Sequence, residues 1–114
     1  MEIGVDCIPI SRFKNIEKNK NLLKKIFTEK EMEYCLKRKP SKQHFAVRFA
    51  AKEAILKALY PLNIILPLNQ IEILNQEKTG QPYVNIKNLP KKLNIKLSLS
   101  HAGNMAIAHA LIYK

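Results

Sequence analysis

The sequence predicts an α+β fold in one domain spanning residues 1–114: an N-terminal strand, then helices that include a long central one, then antiparallel β-hairpins. Three observations predict it. "EIGVDCI" at 2–8 alternates as a strand does, an apolar run with helical spacing fills the middle of the chain, and "NIKLSLS" and "MAIAHALIY" alternate on either side of "HAGN". A chain of 114 residues holds one core, and a cleft for a large ligand calls for a second copy of the chain.

In the first strand Ile3, Val5 and Cys7 share one face, and Asp6 lies on the other beside Gly4. Pro9 and Ser11 precede a helical stretch at 12–27, whose stripe is Phe13, Ile16, Leu23, Ile26 and Phe27 and whose exposed face is strongly basic. Thr28-x-x-Glu31 reads as a capping box opening a second helix over 29–38, ended by the basic run "KRKPSK". Ser41 is the expected cap of the third helix, which stops near Pro61. A loop runs through Pro67. "QIEIL" at 70–74 and "PYVNI" at 82–86 are strands joined by a turn at Gly80. "LPKKL" at 89–93 leads to the last two strands. No repeat, linker or low-complexity segment divides the chain.

Composition narrows the function class. Twenty Lys and Arg against nine Asp and Glu give a net charge of +11, which attracts polyanions such as phosphorylated ligands, acidic proteins or nucleic acid. The apolar stretch "LYPLNIILPL" at 59–68 is too short to span a bilayer and holds two prolines. The N-terminus lacks the basic and long apolar regions of a signal peptide. Cys7 and Cys35 show no paired spacing and read as reduced thiols of a cytoplasmic protein.

The central helix contains "RFAAKEAILKAL" at 48–59, an apolar run broken by Arg48, Lys52, Glu53 and Lys57. At about 100° per residue, Lys52 falls about 40° from Arg48, Glu53 about 140° and Lys57 about 180°. These are two polar stripes, not the single polar face of a surface helix, and the spacing predicts that they reach two rims of a cleft or subunit interface. Glu53–Lys57 has the spacing of a plain helix ion pair. A Mg²⁺ site needs only a carboxylate or two beside substrate phosphates. Asp6 and Glu53 supply these if the first strand packs beside the third helix, with Lys57 facing the same place.

The ordered set of motifs resembles the 4′-phosphopantetheinyl transferase family. Gly4-Val5-Asp6 matches its G-[IV]-D element, and Phe49 to Lys57 matches aromatic-x-x-K-E-A-x-x-K without exception. The length is similar to the holo-acyl-carrier-protein synthase branch. "IFTEKE", "TGQPYV" and "LSLSHAGNMAIAHAL" resemble further segments of that branch. Ala102 stands where the branch commonly has Thr or Asp, and Gln81 where it often has Lys, so both departures fall on coenzyme recognition.

The resemblance implies Mg²⁺-dependent transfer of 4′-phosphopantetheine from coenzyme A to a serine of apo-acyl carrier protein, releasing adenosine 3′,5′-bisphosphate, by a cytoplasmic homotrimer with sites between subunits. It implies Asp6 and Glu53 as metal ligands, with Glu53 and Lys57 as catalytic residues. Which of these two takes the serine proton is left open, since an ionised Lys57 cannot do so without a depressed pKa. Coenzyme A contacts are expected at Arg48, Lys57, His101, Gly80 and Pro82, with Lys39 and Lys42 as further candidates. The acidic carrier protein is expected at Arg12 and Lys14, extended by Arg38. His44 and His109 read as structural. The competing class is a small basic RNA-binding module, against which stands the lack of clustered strand aromatics that stack bases. Neither nucleic acid nor a membrane is expected as a partner.

Overall fold

The computed structural model describes residues 1–89 and 92–114. Its elements are β1 (Glu2–Pro9), α1 (Lys20–Ile26), α2 (Glu29–Leu36), α3 (Ser41–Leu59), β2 (Ile71–Asn75), β3 (Pro82–Ile86), β4 (Asn94–Ala102) and β5 (Met105–Tyr113). An antiparallel three-stranded sheet has the order β1-β5-β4, and β2-β3 is a separate antiparallel hairpin. The α+β order is the one the sequence predicts, and two positions of the "LPKKL" segment, Pro90 and Lys91, lie outside the described residues. Among the described residues no helix is long and apolar enough to cross a membrane.

Small side chains decide how α3 meets the sheet. Ala50, Ala51, Ala54 and Ala58 of α3 and Ala106, Ala108 and Ala110 of β5 are fully buried, so helix and sheet approach closely. The β1 face turned to α3 carries Gly4, Asp6 and Ile8. The other face is the more apolar one, yet it points outward: Ile3 is 64% and Val5 55% exposed. They pair across β5 with Leu111 and His109, and Cys7 pairs with Ile107, which leaves an apolar outer sheet face.

Two local expectations are corrected. The helical stretch expected at 12–27 breaks into 3-10 turns at Ile10–Phe13 and Ile16–Lys18 followed by the short α1. Asn15 takes a left-handed conformation, φ 63°, that asparagine tolerates better than most residues, and Asn19 caps α1 by accepting the Leu22 N–H at 3.2 Å. The expected stripe is nevertheless buried, because the turns still deliver Phe13, Ile16, Leu23, Ile26 and Phe27 inward. Ser41 does not cap α3. It is the first helical residue, and its hydroxyl donates to Glu17, which also pairs with Lys39 at 3.0 Å. These partners hold the Glu17 carboxyl below its ordinary pKa.

The capping box forms as predicted and does more than cap. Glu31 Oε1 accepts the Thr28 N–H at 2.9 Å, while the Thr28 hydroxyl accepts the Glu31 N–H at 3.3 Å. Glu31 is wholly buried and pairs with wholly buried Lys52 of α3 at 2.8 Å. The Lys52 ammonium also donates to the carbonyls of Leu68, at 2.9 Å, and Ile71, so all three of its protons are used. Glu31 Oε2 accepts the Ile73 N–H at 2.9 Å. Burial lowers the Lys52 pKa, and the Glu31 carboxylate opposes that shift. The Arg48–Lys52 stripe expected at a cleft rim therefore turns inward: Lys52 is 0% and Arg48 4% exposed.

Removing one partner of such a pair leaves a buried charge uncompensated. Lys52→Met is expected to cost about 3–5 kcal/mol of unfolding free energy, measured by urea unfolding followed by circular dichroism. A loss under about 1 kcal/mol, the size of an exposed pair, would remove the pair from its structural role.

Candidate functional site

Site geometry begins at Gly4. A Cβ built there would lie 1.9 Å from the Ala54 carbonyl oxygen of α3, so only glycine allows β1 to lie this close to the helix. Two residues on, Asp6 meets the second polar stripe of α3. Lys57 Nζ donates to Asp6 Oδ1 and to the Val5 carbonyl, each at 3.0 Å. Lys57 is half exposed, whereas Asp6 is only 13% exposed. The partner of Lys57 is thus Asp6 on β1, not Glu53 one turn back on its own helix. Glu53 is partly buried and forms no ion pair among the described residues.

The donor set suits a hard divalent cation. Asp6 Oδ2 is buried without a hydrogen-bond partner, an acceptor left for a ligand that brings its own positive charge. Among the described residues no group of three or more His, Cys, Asp or Glu gathers to cage a metal. The residues present therefore fit a cation held by one or two carboxylates and completed by substrate oxygens and water.

A second cluster forms on the other side of α3. Arg48 donates through Nη2 to Asn75 Oδ1 and through Nη1 to the His44 carbonyl at 3.3 Å. Asn75 Nδ2 donates in turn to the Gly80 carbonyl at 2.8 Å, and Asn75 is the cross-strand partner of Pro82. Gly80 closes the turn at φ 73°. Asn75 thereby ties three sequence-predicted residues, Arg48, Gly80 and Pro82, into one group. Arg48 also lies over the Tyr34 ring, 4.0 Å from its centroid, with its Nε buried and unpartnered. His101 stands exposed near the end of β4, close enough for its charge to act on His44. Arg48 and Lys57 are nine residues apart, about two and a half turns and about 13 Å along the helix, so one copy of the chain presents these groups on opposite sides.

The family model for the 4′-phosphopantetheinyl transferase superfamily matches residues 2–110. The chain belongs to this superfamily. It is similar to the holo-[acyl-carrier-protein] synthase of Geotalea daltonii, at 44% identity over 97% of this chain and 96% of that one. The synthase of Clostridium tetani is 42% identical over 96% and 93%. Among solved structures, the holo-[acyl-carrier-protein] synthase of Helicobacter pylori in complex with coenzyme A superposes with a TM-score of 0.81, at 26% identity over 97% of this chain and 99% of that one.

The remaining expected residues of this transferase sit apart from both clusters. Arg12 lies in the first 3-10 turn, with its guanidinium 5.6 Å from the Phe49 ring centroid, and Lys14 follows it, exposed. The turn before Arg12 is fixed by Asn104, whose carbonyl accepts the Ile10 N–H at 2.7 Å and whose side chain accepts the Ser11 N–H at 2.9 Å. Lys39 is engaged by Glu17, Lys42 is exposed, and His109 stands on the outer sheet face rather than in the core. Sequence reasoning missed Asn75 and Tyr34. Their signal was weak: an asparagine closing a strand before a turn, and an aromatic near the end of an amphipathic helix.

Gly4→Ala tests how far Asp6 depends on the close approach. The added Cβ forces β1 off α3, which is expected to lower the melting temperature by several degrees and to weaken the Asp6–Lys57 contact. A variant melting with the wild type in a thermal circular dichroism scan would show that the strand has room to move.

Proposed function

We propose that this chain transfers the 4′-phosphopantetheine group of coenzyme A to a serine of an apo-acyl carrier protein. The observation that carries the reading is the buried, unpartnered oxygen of Asp6 beside Lys57, in a chain whose residues 2–110 match the superfamily model. The serine oxygen attacks the phosphorus that bears pantetheine, a new P–O bond forms, and the bridging P–O bond of the pyrophosphate breaks. Adenosine 3′,5′-bisphosphate leaves with the electron pair. Such transfers depend on positioning and charge neutralisation more than on covalent help from the protein.

In this reading Asp6 and Glu53 hold Mg²⁺, which when bound supplies positive charge to the pyrophosphate and the departing bisphosphate. Lys57, half exposed and anchored by Val5 and Asp6, turns its ammonium toward the phosphate under attack. Glu53, with no ion pair among the described residues, accepts the serine proton. Arg48 and His101 contact phosphate groups of the coenzyme, and the turn at Gly80 and Pro82 bounds its other side. Arg12 and Lys14 meet the acidic carrier protein, Arg12 from the first 3-10 turn, where its guanidinium lies over the Phe49 ring of α3. Free Cys7 and Cys35 accord with a cytoplasmic location.

A mass gain of one phosphopantetheine on apo-carrier protein, after incubation with this chain, coenzyme A and Mg²⁺, is the expected result of intact-protein mass spectrometry. Asp6→Ala and Glu53→Ala are expected to abolish the gain while the fold survives, and Lys57→Met to slow it about a hundredfold, the loss of one preorganised charge at the reacting centre. Transfer at the wild-type rate by any of the three would remove that residue from the mechanism.

The assembly proposed is a homotrimer with sites between subunits. Two observations support it: the Lys57 and Arg48 groups face opposite sides of α3, so one coenzyme meets both kinds of group where two copies join, and the outer sheet face of Ile3, Val5 and Ile107 is apolar and exposed. Sedimentation velocity is expected to show a species about three times the 13.1 kDa chain mass. A single species at the monomer mass would overturn the shared site.

A further inference from the structure

On the Arg48 side of α3 the Tyr34 ring is held between two guanidinium groups, Arg38 at 3.5 Å and Arg48 at 4.0 Å from its centroid. The His44 imidazole stands edge-on to the same ring at 6.1 Å, with the planes at 80°. His44 lies one turn before Arg48, whose Nη1 is anchored on the His44 carbonyl. His101, exposed near the end of β4, is the third basic side chain that bears on His44. The Cys35 thiol, behind Arg48, is pushed up to about 12 by burial and contributes no negative charge near neutrality. Among the described residues no carboxylate bridges Arg38, His44 or Arg48. With Arg48 Nε buried and unpartnered, the cluster is rich in donors and has no anion of its own.

We propose that His44 is a proton-coupled member of the phosphate-binding group: a coenzyme phosphate that enters between Arg38, Arg48 and His101 draws a proton onto the His44 imidazole, which then adds a further positive charge to the site. The proposal rests on the reading of Arg48 and His101 as coenzyme contacts and deepens it. In the free protein, burial first and then Arg48, Arg38 and His101 hold the His44 imidazole below its ordinary pKa. An entering dianion reverses the electrostatic part of that effect while leaving the burial.

The groups that bear on His44 among the described residues are the Tyr34 ring and Arg38, from α2 and the residues after it, Arg48 from α3 and His101 from β4. The sign follows by linkage. A group whose pKa rises on binding takes up a proton, and affinity then increases as pH falls between the free and the bound value, by up to about tenfold per unit for one proton. The coenzyme phosphate itself loses charge below about pH 6. That term is common to wild type and variants, so the contribution of His44 is the difference between them.

The probe is adenosine 3′,5′-bisphosphate binding to the full chain, measured by titration calorimetry in two buffers of different ionisation enthalpy. Wild type is expected to take up more protons per ligand than His44→Gln, and the ratio of their affinities is expected to grow as pH falls from about 8 to about 6. His44→Arg, with a fixed charge, is expected to keep the affinity without that uptake. Ring-nitrogen NMR shifts of His44 in the wild type are expected to move toward the imidazolium form on addition of the bisphosphate, a readout that needs no variant to fold. Binding with equal uptake by wild type and His44→Gln, or a His44 ring that stays neutral in the complex, overturns the role of His44 and leaves the coenzyme site standing. No binding by wild type, or undiminished binding by Arg48→Gln, overturns the coenzyme reading and this proposal with it.

Discussion

One buried ion pair joins the parts of this molecule that are far apart in sequence. Glu31 and Lys52 are both shielded from water, and between them they bind the start of α2, the middle of α3, and the Leu68, Ile71 and Ile73 backbone at the entry to β2. Two charges taken out of water are stabilising only when their remaining hydrogen-bond capacity is met, and here each ammonium proton and both carboxylate oxygens have partners. A pair so completely satisfied tolerates one register. Sliding α3 by a single residue would swing Lys52 about 100° away and leave Glu31 unpaired. The pair therefore fixes the rotation of α3, and with it where Glu53, Lys57 and Arg48 point.

That fixed rotation gives the helix two different polar sides. Adjacent residues Lys52 and Glu53 point in different directions, since about 100° of helix rotation places one in the core and the other on the Lys57 stripe. Arg48, also buried, is held by Asn75 and by Tyr34 rather than by a carboxylate, so its charge is offset by dipoles and a ring face but not cancelled. Lys57 is cancelled in part by Asp6, whose second oxygen stays open. One side of the helix thus offers uncancelled positive charge and the other a carboxylate with spare acceptor capacity.

The fold was largely legible because its strands are marked by strict alternation and its turns by Gly80 and "HAGN". The ends of β3 and β5 match the sequence reading residue for residue, and the packing of β1 beside α3, which the sequence reading set as a condition for Asp6 and Glu53 to meet, is present. Three features were not legible. Alternation in β1 marks two faces without saying which is buried, and the less apolar face is inside because glycine, not bulk, is what the close approach to α3 demands. The break at Asn15 was hidden because turns and a helix can bury the same stripe. Lys52 was read as facing a cleft because its partner, Glu31, was already explained as a cap residue. The Asp6–Lys57 half of the site was visible from spacing, whereas the Arg48 half depended on Asn75 and Tyr34, whose roles come from tertiary contact alone.

Glu31 shows why fold and site are hard to vary separately in this chain. Its Oε1 serves the Thr28 cap and the Lys52 ammonium together, and its Oε2 holds Ile73 at the centre of β2, the strand that ends in Asn75. A glutamine at this position keeps the shape and one acceptor but sets an amide donor near a second donor, either the Lys52 ammonium or the Ile73 N–H. The conflict would be felt at α3 and β2 at once, which are the two elements that hold Arg48 and Asn75 in contact. The Arg48–Asn75–Gly80 group is therefore downstream of the capping box: the same carboxylate that starts a short helix also sets the distance between the helix and the hairpin that hold Arg48 and Asn75 together.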